Sequence, residues 1–193
     1  MKQRFFPHVI RLALLFVWTG SAVASAALVR GPYVQMGHFT NQATVVWRTD
    51  ASADSAVDYG LTAGYGMTAS GGSGYQHEVT LTGLIPGTTY FYRVRSGGAT
   101  LAAASFRSGK APGAAFRIGL FSDTHQGGCA AIGNLLALAE PDLLLAIGDL
   151  TDDGLYSDLD NNLFSKMGAA LAAAPLYWTP GNHDVRDGFA ACR

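Results

Sequence analysis

The hydrophobic period of this chain changes once, across Lys110-Ala111-Pro112-Gly113-Ala114-Ala115, and no single layer of secondary structure accommodates both patterns. From Val29 to about Ser108, β-branched and aromatic runs alternate with Gly, Asn, Asp and Pro. The runs are Ala43-Thr44-Val45-Val46-Trp47-Arg48-Thr49, then Gln76 to Leu81, then Thr89 to Val94. Strands spaced by about a dozen residues with no helical period predict a β-sandwich. Leu84 to Val94 sets a Pro-Gly turn before a strand in which Tyr90, Tyr92 and Val94 share one face, and Trp47 and Tyr90 read as core.

After the linker the pattern becomes α/β. Phe116 to Phe121 is a short apolar run that ends in Ser122-Asp123. Ile132, Leu135, Leu136 and Ala139 fall at i, i+3, i+4 and i+7, with Gly127-Gly128 before them and Pro141 after, which predicts a helix. Leu143 to Ile147 is almost continuously apolar, as in a strand covered on both faces. Leu159, Leu163, Met167 and Leu171 mark a second helix, and Leu176-Tyr177-Trp178 starts a third strand. Strands alternating with helices predict βαβ units and a parallel sheet.

The amino terminus has its own logic. Lys2, Arg4 and Arg11 precede an apolar run from Leu12 to Trp18, followed by small residues at Ala22-Val23-Ala24 and Ala24-Ser25-Ala26. This is the plan of a secretory signal peptide, cleaved at Ala24 or Ala26, and it predicts export to the periplasm or beyond the cell with no stable membrane insertion afterwards. The competing reading is an uncleaved anchor, because no charge intervenes between Arg11 and Arg30 over roughly 18 residues. Without the leader, ten Lys and Arg face 14 Asp and Glu, a net charge of −4. Such a chain lacks the clustered cations that phosphate-backbone binding needs, so nucleic acid is set aside as a partner. Cys129 and Cys192 are permitted to pair in an oxidising compartment, but their spacing does not place them within bonding distance.

Polar motifs stand at the carboxyl end of each predicted α/β strand: Asp123-Thr124-His125, Gly148-Asp149-Leu150-Thr151-Asp152 and Gly181-Asn182-His183-Asp184. Parallel sheets bind ligands at those ends, so three segments distant in sequence converge. In an extended segment Asp123 and His125 point to one side and can grip one cation. Gly148 admits a close backbone, Asp149 offers two oxygens able to bridge two cations, and Asn182 adds a neutral amide oxygen. His183 is expected to point away from the ligands and to serve proton transfer or contact with a phosphate oxygen. Asp184 is expected to brace its loop. Asp152, Asp153, Asp158 and Asp160 read as a solvated acidic loop with a helix cap at Ser157 or Asp158. His38 and His77 read as surface residues of the sandwich.

D-x-H, G-D-x-x-D and G-N-H-D in this order resemble the first three blocks of the calcineurin-like metallophosphoesterase superfamily. The sandwich, with Arg30-Gly31-Pro32-Tyr33-Val34-Gln35 at its start, resembles the amino-terminal domain of purple acid phosphatases, itself fibronectin type III-like, in which a tyrosine hydroxyl closes a corner. The resemblance implies hydrolysis of phosphoric esters at a dinuclear centre with a metal-bound hydroxide as nucleophile. It implies Asp123 and His125 on the first metal, Asp149 bridging, Asn182 on the second, and His183 as the catalytic residue. Asp152 stands where purple acid phosphatases carry a metal-binding tyrosine, and His125 stands where they usually carry glycine. An uncoloured pair of Mn, Zn or Fe ions is therefore expected. The superfamily's later histidine motifs are not among the 193 residues, so this polypeptide alone is expected to bind metal weakly and turn over little substrate.

The expected division is a leader over 1–26, a type III-like sandwich over 27–109, a linker over 110–115 and a partial phosphoesterase domain over 116–193. A phosphate ester is the expected partner, and the sequence leaves substrate identity and oligomeric state open. The alternative is an exported binding module whose α/β part is not catalytic.

Overall fold

An 18-residue strand, Ala43–Gly60, organises the amino-terminal half. In the computed structural model, which describes residues 26–37, 40–125 and 130–186, this strand is β2, preceded by β1 (Leu28–Met36). Next come β3 (Met67–Leu81), β4 (Thr89–Ser96) and β5 (Ala99–Arg107). The expectations for the leader, His38, Gly127-Gly128 and both cysteines lie outside the described residues. No helix among the described residues is long and apolar enough to cross a membrane.

The first part of β2 pairs with β1 and with Gln76–Leu81 of β3, all antiparallel. Register shifts between Arg48 and Ser55 then turn the strand, and Ala56–Gly60 pairs with β4 while keeping β3 on its other side. Strands that bend from one sheet into the next make the corners of sandwiches. The folded-over halves enclose Val34, Val45, Trp47, Val57, Val79, Leu81, Tyr90, Tyr92, Val94 and Phe106. Tyr90 is buried as expected, and the Ile85 N–H donates to its hydroxyl at 3.0 Å, closing the corner before β4.

His77 is not a surface residue: it is completely buried. Ser55 Oγ lies 2.7 Å from its Nδ1, Thr49 Oγ1 lies 2.7 Å from its Nε2, and its ring stacks on Trp47 at 4.9 Å. A polar ring enters a core when both nitrogens find partners, and here the bend of β2 supplies both hydroxyls. Burial lowers its pKa, against the opposing pull of Asp54.

The second half holds β6 (Ile118–Phe121), α1 (Ala130–Ala139), β7 (Leu143–Ile147) and β8 (Leu176–Thr179). Between β7 and β8 run α2 (Tyr156–Asp158), a π-helical segment (Leu159–Phe164) and α3 (Ser165–Ala173). The sheet is parallel in the order β6-β7-β8, as the βαβ reading requires. Leu159, Leu163, Met167 and Leu171 are all buried together. A four-residue spacing overshoots a regular helical turn by about 40° each step; the wider π turn absorbs that drift and keeps the four on one face.

Three expectations need correction here. Leu135 does not face the core. It is 67% exposed, and the packed face of α1 runs through Ile132, Gly133, Leu136 and Ala137 instead. Gly133 sets that rotation, because a Cβ there would lie 2.8 Å from the Lys166 carbonyl and 3.0 Å from Met167 Cα. Neither Ser157 nor Asp158 caps a helix: α2 begins after Leu155 without a side-chain cap, and Asp158 accepts from the Asp153 N–H at 3.1 Å. Among the described residues, the sheet is covered on one face only. Phe121, Leu144 and Ala146 pack beneath the helices, whereas Ile118, Leu120, Ile147 and Tyr177 stand about half exposed on the other side.

Polar ties join the halves. Arg30 of β1 is buried between Tyr156 and Phe164, with ring centroids at 4.6 and 4.2 Å, and its Nε meets Asp160 at 2.5 Å. Tyr92 donates to the Ala172 carbonyl at 3.0 Å. In the linker, Lys110 Nζ reaches Asp142 at 2.7 Å, and the Arg117 N–H donates to the same carboxylate at 2.8 Å. Burial pushes the Asp142 pKa up, but Lys110, the Arg117 N–H and Arg107 outweigh it and hold the carboxyl below its ordinary range. A folded-state pKa below the unfolded one gives stability that is present above the ordinary carboxylate pKa and is lost as pH falls through the folded value. Asp142→Asn is therefore expected to cost about 2–3 kcal/mol at neutral pH, with the difference shrinking below about pH 4. Denaturant unfolding at neutral and acid pH measures this, and a pH-independent difference would remove the ionised carboxylate from the account.

Candidate metal centre

The three strand ends converge as the motif order requires. The Asp123 N–H donates to the Gly148 carbonyl at 3.3 Å, and the His125 N–H donates to the Asp149 carbonyl at 3.2 Å, joining the loop after β6 to the loop after β7. The loops after β7 and β8 touch through glycines. Gly148 has φ +73°, and a Cβ on it would lie 2.7 Å from both Cα and N of Gly181. A Cβ on Gly181 would in turn collide with Asp149 Oδ1. Asp149 follows with φ 55°, in the left-handed region that aspartate enters more readily than most residues.

Asp184 holds this junction, as expected of a bracing residue. It is fully buried, and its Oδ1 accepts from the Leu150 N–H, the Thr151 N–H and the Thr151 hydroxyl, each at 2.9 Å. Its Oδ2 accepts from the N–H groups of Asp149 at 2.7 Å and Gly181 at 2.8 Å. One carboxylate thus ties the turns after β7 and β8 together.

His125, Asp149 and His183 gather above that clamp, with one ligand atom from each lying within 4.8 Å of the others. The His125 and His183 rings stack at 4.3 Å, and the His183 N–H donates to Asp149 Oδ1 at 2.9 Å. His183 does not point away as expected, because that backbone bond turns its ring onto His125. Its Nδ1 donates to the Asp152 carbonyl at 2.8 Å, and Arg186 Nη2 donates to its Nε2 at 3.0 Å, which assigns the ring proton to Nδ1.

Asp123 joins less closely. Its backbone is left-handed, φ 54°, rather than extended, and its carboxylate accepts from the Ser122 hydroxyl at 2.6 Å and stands 3.9 Å from His125 Nε2. Asn182 is exposed in the turn between Gly181 and His183. Asp152, expected in a solvated loop, stands beside the cluster instead: one carboxylate oxygen lies 3.8 Å from His125 Nδ1, and the other accepts from Asn162 at 3.0 Å. Arg186 was missed as well. The signal for Asp152 is that it closes the same five-residue motif Asp149 belongs to.

The donor set fits a cation. His125 Nδ1 is buried and has no hydrogen-bond partner among the described residues. An imidazole nitrogen left so beside carboxylates is what a metal ligand looks like before its ion is placed.

Comparisons with known proteins bear on the two halves of the fold. Residues 29–108 match the purple acid phosphatase N-terminal domain, and residues 116–191 match the calcineurin-like phosphoesterase family. Acid phosphatase type 7 of Danio rerio is 28% identical over 178 residues, which cover 79% of this chain and 39% of that protein. The purple acid phosphatase PPD1 from yellow lupin (Lupinus luteus) seeds superposes with a TM-score of 0.68 at 19% identity, covering 83% of this chain and 36% of that one. PhoD superposes with a TM-score of 0.69 at 16% identity, over 86% and 41% of the two chains. The chain thus spans about two fifths of the length of these relatives. It joins a region that matches the purple acid phosphatase N-terminal domain to a region that matches the calcineurin-like phosphoesterase family.

Proposed function

We propose that this protein takes part in metal-dependent hydrolysis of phosphoric esters, through a two-cation centre held by Asp123, His125, Asp149 and Asn182. The supporting observation is the convergence of His125, Asp149 and His183 within 4.8 Å from three separate strand-end motifs. Bound cations, Mn, Zn or Fe, would supply electrophilic activation of phosphorus and of the attacking water. The chain's own residues do the rest. Asp149 sits at the meeting of the three loops, where its two oxygens can serve both cations. His183 is oriented by its Nδ1 bond to the Asp152 carbonyl, which leaves Nε2 as the ring's acceptor, held here by Arg186. Export, with a leader over 1–26, a sandwich over 27–109 and a phosphoesterase part from 116, completes the reading.

Equilibrium dialysis of the 193-residue chain against Mn²⁺ or Zn²⁺ tests it, followed by hydrolysis of p-nitrophenyl phosphate. Saturable uptake of metal that Asp149→Ala removes is the expected result. A wild-type chain that shows no saturable uptake of either ion, even at metal concentrations high enough to register weak binding, ends the proposal, whatever the assay of hydrolysis shows.

A further inference from the structure

Arg186 stands beside the cluster with a poor set of partners. It lies in the turn that carries His183, where its own N–H donates to the His183 carbonyl at 3.3 Å. That turn folds its guanidinium back over the imidazole, with Nη2 on His183 Nε2 at 3.0 Å. Its Nη1 reaches the Asp152 carbonyl at 3.1 Å and Asp153 Oδ1 at 3.3 Å. We propose that Arg186 grips the phosphoryl oxygens of the substrate and rests on His183 between substrates. This rests on the phosphoesterase reading of the site and adds to it the residue that recognises the phosphate.

Each resting contact is one that a phosphate can displace. A guanidinium presents its donors as a planar fork that matches the two oxygens of a carboxylate or phosphate. Here the fork meets a neutral ring nitrogen and a carbonyl that His183 Nδ1 already occupies at 2.8 Å. The remaining partner, Asp153, is an exposed pair, with side chains 47% and 68% accessible. Such pairs hold a side chain only weakly. Leaving them therefore costs little, and a phosphoryl group offers charge and geometry that none of the three provides.

Charge gives the second reason. The site gathers Asp123, Asp149 and Asp152 around two histidines, with Asp153 beside Arg186. A phosphate ester approaching those carboxylates needs positive charge beyond what the carboxylates themselves neutralise on bound cations. Among the described residues, Arg186 is a permanent cation hydrogen-bonded directly to the cluster. Nearly half exposed, it is also free to turn toward an entering group.

Calorimetric titration of the metal-loaded 193-residue chain with inorganic phosphate tests the assignment, with metal content and melting temperature measured on the same samples. Arg186→Gln is expected to weaken phosphate binding about ten- to hundred-fold, the size of a charge-assisted hydrogen bond. Arg186→Lys should recover part of that loss, keeping the charge without the fork. Metal content and melting temperature should stay at the wild-type values in both. Phosphate affinity within twofold of wild type in a metal-holding Arg186→Gln chain overturns the role of Arg186 and leaves the phosphoesterase reading intact. Loss of metal in step with loss of phosphate also overturns it, since Arg186 would then support the ligands. A wild-type chain that holds neither metal nor phosphate brings down both.

Discussion

Asp184→Asn is expected to destabilise the protein by about 3 kcal/mol, close to the cost of Asp184→Ala, although asparagine has nearly the same shape. The reason is the donor count around the carboxylate. Four backbone N–H groups and one hydroxyl aim at its two oxygens, from Asp149, Leu150, Thr151 and Gly181. An amide keeps one acceptor and replaces the other with a donor, so whichever way it turns, N–H groups face an NH₂ in a site closed to water. The buried donors left without acceptors carry the cost. Chemical denaturation followed by far-ultraviolet circular dichroism measures it. If Asp184→Asn unfolds at the wild-type midpoint, the clamp is not what joins the turns after β7 and β8.

Removing the Asp149 side chain should leave the fold standing and abolish metal uptake. The carboxylate is half-buried and accepts from the His183 N–H at 2.9 Å, so its loss costs one hydrogen bond plus the strain of alanine at a left-handed position, together about 1–3 kcal/mol. Its effect on the site is larger, because Asp149 is where the three loops meet. Loss of residues that only orient a ligand already weakens metal binding 10- to 100-fold in known sites, so loss of the proposed bridging ligand is expected to exceed about a hundred-fold. Dialysis followed by elemental analysis compares Asp149→Ala with wild type at equal folded fraction. Undiminished metal in that variant would move the centre elsewhere.

Much of the architecture was legible because burial leaves a periodic trace. The four-residue spacing of Leu159, Leu163, Met167 and Leu171, the apolar run of β7 and the polar motifs at strand ends each led to an element in its place. The readings that failed involve residues whose environment is set by distant partners. Hydropathy has no means of seeing that Gly133 lets α1 approach α3 closely, and this contact turns Leu135 outward. His77 looks like a surface residue until Thr49 and Ser55 are known to meet its ring. At the site, motif order located the convergence of His125 and Asp149. The inward turn of His183 and the approach of Asp152 and Arg186 depend on backbone bonds between loops, which no local pattern encodes.

Among the described residues one face of the β6-β7-β8 sheet stands open, and this affects how these experiments are read. Ile118, Leu120, Ile147 and Tyr177 offer a fluorogenic dye such as ANS a place to bind while the chain is still native. A dye-based melting curve would start bright and show a shallow or inverted transition. Optical methods that ignore added dye are the ones that will rank the Asp142, Asp149 and Asp184 variants correctly.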